Sequence, residues 1–260
     1  MLWSSTNHLV KQYQLKVNHI SKKIFIYGVI ISIGYGVVTL QGFLTAFIGE
    51  VFQIVNQVIS LGIVVNLYRD QTMNLLIGAL LLNPENRLSE GAKVSGKSRL
   101  ASIILGDFAI GSILDPTGSF ILVSSMRIDC QYRWIVESPA PGIIDRQSVF
   151  EPLQTGVLAI DSMVPIGRGQ RELIVGDRQT GKTSIGVDTI LNQKYENVLS
   201  VYLPCAQKAS SILEVFISLV RRDAIFYLSL LIASASSSAV YIFLCAYTGT
   251  SLSEFFVVVK

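Results

Sequence analysis

An α/β fold preceded by a β-rich region is predicted by three observations. Gly176-Asp177-Arg178-Gln179-Thr180-Gly181-Lys182-Thr183 fits the phosphate-binding pattern G-x-x-x-x-G-K-[ST]. The flanks have the right character: Leu173-Ile174-Val175 is a short apolar run with two β-branched residues, as in a buried parallel strand. After it, Thr183 to Leu191 places Ile185, Thr189 and Ile190 at helical spacing. The third observation is Val29 to Val38, β-branched and punctuated by Gly34 and Gly36, the pattern of strand, turn and strand.

The motif has a chemical logic. A triphosphate carries several negative charges. Backbone N–H groups of Gln179 to Thr183 can converge on its oxygens, and a helix N-terminus adds positive potential. Gly176 and Gly181 allow a sharp turn and close approach of the backbone. Lys182 would neutralise the β- and γ-phosphates, and the Thr183 hydroxyl would ligate Mg²⁺. The expected strand runs over about 172 to 175, the loop over 176 to 182 and the helix from about 182 to 192.

Composition bounds the rest. The chain has 260 residues, 50% hydrophobic and 15% charged, with a net charge of +3. Its mean hydropathy is +0.51. That length supports one large or two modest domains. The basic residues are scattered, which argues against nucleic acid as a partner. Cys130, Cys205 and Cys245 are far apart and odd in number, and the histidines, His8 and His19, lie near the start. No metal-ligand spacing, disulfide framework or Ser/His/Asp arrangement follows from them.

Along the chain, Met1 to Gly49 lacks Asp and Glu, and Lys22-Lys23 precedes an uncharged stretch to Gly49. That stretch is long enough to span a bilayer, and hydropathy alone does not separate a span from strands. Ala224 to Ser253 is also uncharged, but its middle, Ser234 to Ser238, is rich in serine and argues against spanning. Val198 to Leu203 reads as a second strand and Ile212 to Arg222 as a helix.

The surrounding wording carries a resemblance. Ser138-Pro139-Ala140-Pro141-Gly142-Ile143-Ile144, Glu151-Pro152-Leu153-Gln154-Thr155-Gly156 and Pro165-Ile166-Gly167-Arg168-Gly169-Gln170-Arg171 lead into the loop. With it they closely resemble the alpha subunit of F-type, rotary ATP synthases, in wording most similar to the chloroplast and cyanobacterial branch. Ile135 to Gln193 carries the strongest part. Asp177-Arg178-Gln179-Thr180 stands where a beta subunit is expected to have Gly-Ala-Gly-Val. The resemblance implies a RecA-like P-loop nucleotide-binding domain preceded by a small β-barrel. The implied divisions are an extension at 1–23, a barrel at 24–95, a linker at 96–134 and a partial nucleotide domain at 135–260.

The resemblance also implies a site and its company. Gly176, Asp177, Arg178, Gln179, Thr180, Gly181, Lys182, Thr183 and Ser184 would bind ATP or ADP, with Thr183 on Mg²⁺. Gln207 would stand where the catalytic beta subunit has a glutamate. An amide cannot take the proton of the attacking water, so the site is expected to be non-catalytic and regulatory. Partners would be the beta subunit and the other subunits, with peripheral membrane association through the complex. The location would be the stromal face of the chloroplast thylakoid membrane, or else a bacterial or mitochondrial inner membrane. The family's later features, including the Mg²⁺-associated aspartate, the arginine reaching a neighbouring site and the helical bundle, do not map onto this sequence. A truncated and drifted alpha subunit is therefore expected. A remnant without productive assembly, a self-sufficient P-loop ATPase and an integral membrane protein stand as rivals.

Overall fold

A computed structural model describes residues 27–34, 36–43, 45–55, 60–69, 74–82, 88–122 and 132–259. The chain forms two compact units. The first draws on 1–103, 134–138 and 238–247; the second on 104–133, 139–237 and 248–260. The expected 1–23 extension, His8, His19 and Cys130 lie outside the described residues.

The first unit is a closed six-stranded barrel in the order β1-β2-β5-β4-β3-β6. Its strands are β1 (Tyr27–Gly34), β2 (Val37–Gln41), β3 (Glu50–Ile54), β4 (Ser60–Arg69), β5 (Leu75–Leu81) and β6 (Lys93–Leu100). Every pair is antiparallel, and β6 returns to β1 through Tyr27↔Ser95 and Val29↔Lys93, so no edge is left open. The period-two pattern sets the faces. Ile30 points inward between the exposed Val29 and Ile31, and Ile77, Ala79 and Leu81 line the interior from β5. Phe43, Phe52, Ile54 and Val94 complete that core.

The β1–β2 hairpin closes on Gly34↔Val37, with Gly36 at φ +83°. That backbone region is open to glycine without steric cost, which is why the glycine-punctuated segment turns here. Strands therefore occupy 27–34 and 37–41, and no membrane-spanning helix runs through the described residues of 24–49. Among the described residues, one carboxyl of the barrel strands is buried. Glu50 is 1% exposed. Its carboxylate oxygens accept the backbone N–H groups of Ser98 at 2.8 Å and Phe47 at 3.4 Å. Burial pushes its pKa above the usual carboxylate range, and the two N–H donors oppose that rise.

The second unit is α/β. Its four-stranded sheet runs in the order Ser200–Tyr202, Leu228–Leu231, Ile113–Leu114, Phe120–Leu122. The first three strands are parallel and the last is antiparallel. A smaller parallel pair joins Cys205–Gln207 to Ala233–Ser234. Its helices are α1 (Leu158–Met163), α2 (Lys182–Asn192) and α3 (Ala209–Arg221). Two strands of the sheet come from within 96–134, the stretch read as a linker.

One expectation needs correction. Residues 172–175 do not form a strand; they run as irregular chain, with Leu173 84% and Val175 80% exposed. A β-branched run becomes a strand only where a neighbour completes its ladder, and the sheet's described strands pair among themselves. Residues 224–253, whose serine-rich middle argued against a span, divide into several elements. They contain a 3-10 turn at Ala224–Tyr227, the strands Leu228–Leu231 and Ala233–Ser234, and then helix α4 (Ala239–Val259). Among the described residues α4 is the helix long and apolar enough to cross a membrane, and it also buries Leu244, Cys245, Leu252 and Phe255.

Candidate functional site

The phosphate loop joins an exposed stretch of chain to α2. Helix α2 is anchored from below: Val187, Ile190 and Leu191 pack against a core of Ile113, Leu219, Ala224, Leu228 and Leu230. That apolar stripe recurs at helical spacing and fixes the helix on the sheet. The far end of α2 is tied to the Glu-Pro-Leu-Gln-Thr-Gly segment. Asn192 Nδ2 donates to the Gln154 carbonyl at 2.9 Å, and the buried Gln193 donates Nε2–H to the same oxygen at 2.7 Å. Tyr227 Oη donates to the Leu191 carbonyl at 3.4 Å.

The Glu-Pro-Leu-Gln-Thr-Gly segment is held in turn. Asp161, on α1, accepts the N–H and hydroxyl of Thr155 at 3.0 and 2.6 Å and the N–H of Gly156 at 2.9 Å. These bonds, the Thr155 hydroxyl first, lower the Asp161 pKa below its usual value. Arg168 reaches Glu151 at 3.1 Å and Glu196 at 3.6 Å. Sequence reasoning did not find Gln193, Asn192, Asp161 or Arg168 as supports. Their partners are distant in sequence, and only the Thr155–Asp161 spacing carried a local signal.

Helix α2 starts at Lys182 with Gly181 as its N-cap, at φ +89°. No side chain caps it and its first turn has no acidic residue. Ile185 N–H donates to the Gly181 carbonyl at 3.2 Å, so the N–H groups of Lys182, Thr183 and Ser184 precede the first helical bond. The positive end of the helix dipole is therefore not met by a carboxylate from its own first turn. Gln179 also lies in the left-handed region, at φ +62°.

Lys182 closes the loop on itself. Its Nζ donates to the carbonyl oxygens of Gly176 and Asp177. Thr180 Oγ1 donates to the Asp177 carbonyl at 2.8 Å. A Cβ on Gly176 would lie 2.7 Å from Thr180 Oγ1, so a side chain there would displace that hydroxyl from its bond to the Asp177 carbonyl. Asp177, Arg178, Gln179 and Thr180 are exposed, as are Thr183 and Ser184. The loop, the charge and the hydroxyl of Thr183 thus share the start of one helix, and a triphosphate with a divalent cation fits that donor set.

Gln207 is placed differently. It ends the strand Cys205–Gln207, opposite Ser234, and its carbonyl accepts Ala235 N–H at 2.9 Å. No hydrogen bond joins it to residues 176–184 among the described residues. Ala206 before it has φ +54°, in the left-handed region that an L-residue with a Cβ rarely adopts.

A phosphate loop at the uncapped start of a sheet-packed helix defines this unit as a P-loop nucleotide-binding domain of the α/β class. More particularly, residues 156–260 match the model of the ATP synthase alpha/beta family, nucleotide-binding domain.

Proposed function

We propose that the protein is a non-catalytic, alpha-type subunit of a proton-translocating ATP synthase that holds Mg-ATP or Mg-ADP at a regulatory site. The single observation that carries the reading is the loop itself: Lys182 bridges the carbonyls of Gly176 and Asp177 at an uncapped helix start. Backbone N–H groups of Gln179 to Ser184 would hold phosphate oxygens, and Lys182 would supply the positive charge. Thr183 would hold Mg²⁺, which screens the phosphate charge when bound.

The non-catalytic assignment rests on Gln207 and on the wording Asp177-Arg178-Gln179-Thr180. Hydrolysis needs a group that orients water and takes its proton, and an amide does not take one. An arginine meeting the transition state is worth about 10³–10⁵ in rate. Arg178 is exposed on the loop, free to meet the nucleotide or a neighbouring subunit. Assembly with beta and the other subunits, and peripheral attachment to the chloroplast thylakoid membrane, belong to the same reading. The test is equilibrium binding of labelled ATP alongside phosphate release. Binding without turnover is expected; robust phosphate release by the isolated chain, lost in Lys182→Ala, overturns the non-catalytic role.

A further inference from the structure

We infer that Glu50 is a proton-operated clasp in the barrel: ionised, its carboxylate ties the exposed turn at Phe47 and Ile48 to a bulge in β6, and protonated, it lets the turn go. The two oxygens have different partners. Oε1 accepts the N–H of Ser98 at 2.8 Å, and Oε2 accepts the N–H of Phe47 at 3.4 Å. Ser98 belongs to the bulge. Glu50 stands opposite Leu100 and Phe52 opposite Gly96, so Lys97, Ser98 and Arg99 on β6 oppose Val51 alone on β3. Ser98 takes φ +49°, a left-handed backbone that serine rarely adopts, and its bond to the carboxylate helps to hold it there. A Cβ on Gly96 would lie 2.8 Å from Glu50 Oε1, so that oxygen rests against the β6 backbone.

The Ser98 side is the fixed jaw and the Phe47 side is the one that opens. A carboxylate accepts through both oxygens, whereas a carboxylic acid turns one of them into a donor. The proton goes to Oε2, because the bond lost there is the longer one. Phe47 and Ile48 are 39% and 51% exposed, so water takes over the freed N–H at little cost. Within the turn there remain the bonds from Ala46 N–H to the Phe43 carbonyl at 3.3 Å and from Glu50 N–H to the Phe47 carbonyl at 3.1 Å. Among the described residues no charged side chain bonds to the carboxylate. Lys93, Lys97 and Arg99 on β6 and Arg69 on β4 are exposed, as is Tyr27 on β1, and residues 45–49 carry no charge. Burial therefore sets the direction in which Glu50 titrates, above the usual carboxylate range, with the Ser98 and Phe47 donors opposing it.

The experiment is nuclear magnetic resonance on the full chain. It follows the Glu50 carboxyl carbon and the Phe47, Ser98 and Ile77 amides from about pH 4 to about pH 8. The carboxyl carbon and the Phe47 and Ser98 amides are expected to shift with one midpoint, above the ordinary value of 4.5. On the acid side Phe47 should lose about tenfold of its protection against hydrogen exchange, the worth of one hydrogen bond, while Ser98 and the buried Ile77 keep theirs. Glu50→Gln should abolish the pH response of both amides. Ser98→Gly, which keeps the carboxyl and both N–H groups, should preserve it. A Phe47 amide that stays flat over this range, or that moves with a midpoint other than the carboxyl's, overturns the clasp, and the wild-type chain decides this even if Glu50→Gln does not fold. A Phe47 response that persists in Glu50→Gln overturns it too. So does an equal loss of protection at Ile77, which means that the barrel opens as a whole.

Discussion

The ammonium group of Lys182 donates to the backbone carbonyl of Gly176, six residues earlier in the chain, and to that of Asp177 beside it. The bond makes the phosphate loop a ring before any phosphate arrives. The two bonds use two of the ammonium's three N–H groups, leaving one for a ligand. Lys182→Ala should then weaken Mg-ATP binding by about 10- to 100-fold, the worth of a hydrogen bond to a charged group. Because the loop is exposed, stability should change by about 0.5 kcal/mol or less. Amide hydrogen exchange at 177–181 should accelerate in the variant. Unchanged exchange there would show that the ring does not hold the loop.

Gly62, on β4, sits against the aromatic ring of Phe52. A Cβ there would lie 2.2 Å from Phe52 Cζ and 2.7 Å from the Leu80 carbonyl oxygen. The ring is fully buried and the carbonyl is backbone, so neither can yield cheaply. Gly62→Ala should destabilise the chain by about 1–3 kcal/mol, as overpacked cores do. Urea denaturation is the measurement, and a change within error of zero would show that the barrel relaxes around the methyl.

Glu50 makes stability fall as pH rises. Its folded pKa is raised, so its favourable contribution is present below the ordinary value of 4.5 and is lost as pH climbs through the raised folded value. Glu50→Gln keeps an acceptor for one of the two N–H donors and removes the titration. The variant's urea midpoint should therefore decline less than the wild type's between about pH 4 and pH 8. Parallel curves for the two proteins would count against a raised Glu50.

Asp161 works in the opposite sense. Its folded pKa is lowered by the Thr155 and Gly156 donors. Its contribution is present above the ordinary value of 3.8 and is lost as pH falls through the lower folded value. Asp161→Asn should lower the unfolding midpoint at neutral pH and lose less between about pH 5 and pH 2 than the wild type. If the variant shows the same acid loss, the carboxylate does not hold the Thr155 turn.

Ala206 occupies the left-handed region at φ +54°. An L-residue with a Cβ is strained there, by about 1–2 kcal/mol. Ala206→Gly should raise stability by about 0.5–1 kcal/mol, less than the strain because glycine is freer in the unfolded chain. Thermal unfolding would register it as a higher Tm, and a lower Tm would mean that the Ala206 methyl has packing worth more than the strain.

The sequence by itself determined what short-range chemistry determines. Gly176, Gly181 and Lys182 placed the loop, and helical spacing placed α2, which spans Lys182–Asn192 as expected. The β-branched run around Gly34 and Gly36 disclosed the β1–β2 hairpin, and the resemblance implied the barrel that the six strands close. The tertiary structure decided the rest. Leu173-Ile174-Val175 has strand composition and no ladder, because a strand's stability comes from its neighbours and not from its own residues. Gln193 holds the carbonyl of Gln154, 39 residues away, and Glu50 accepts from Ser98, 48 residues away. Neither residue type announces such a partner, since no period or turn links them. Those bonds exist only once the barrel closes and the sheet forms, when burial makes an unpaired polar group costly and the available partner is the one the fold has brought near.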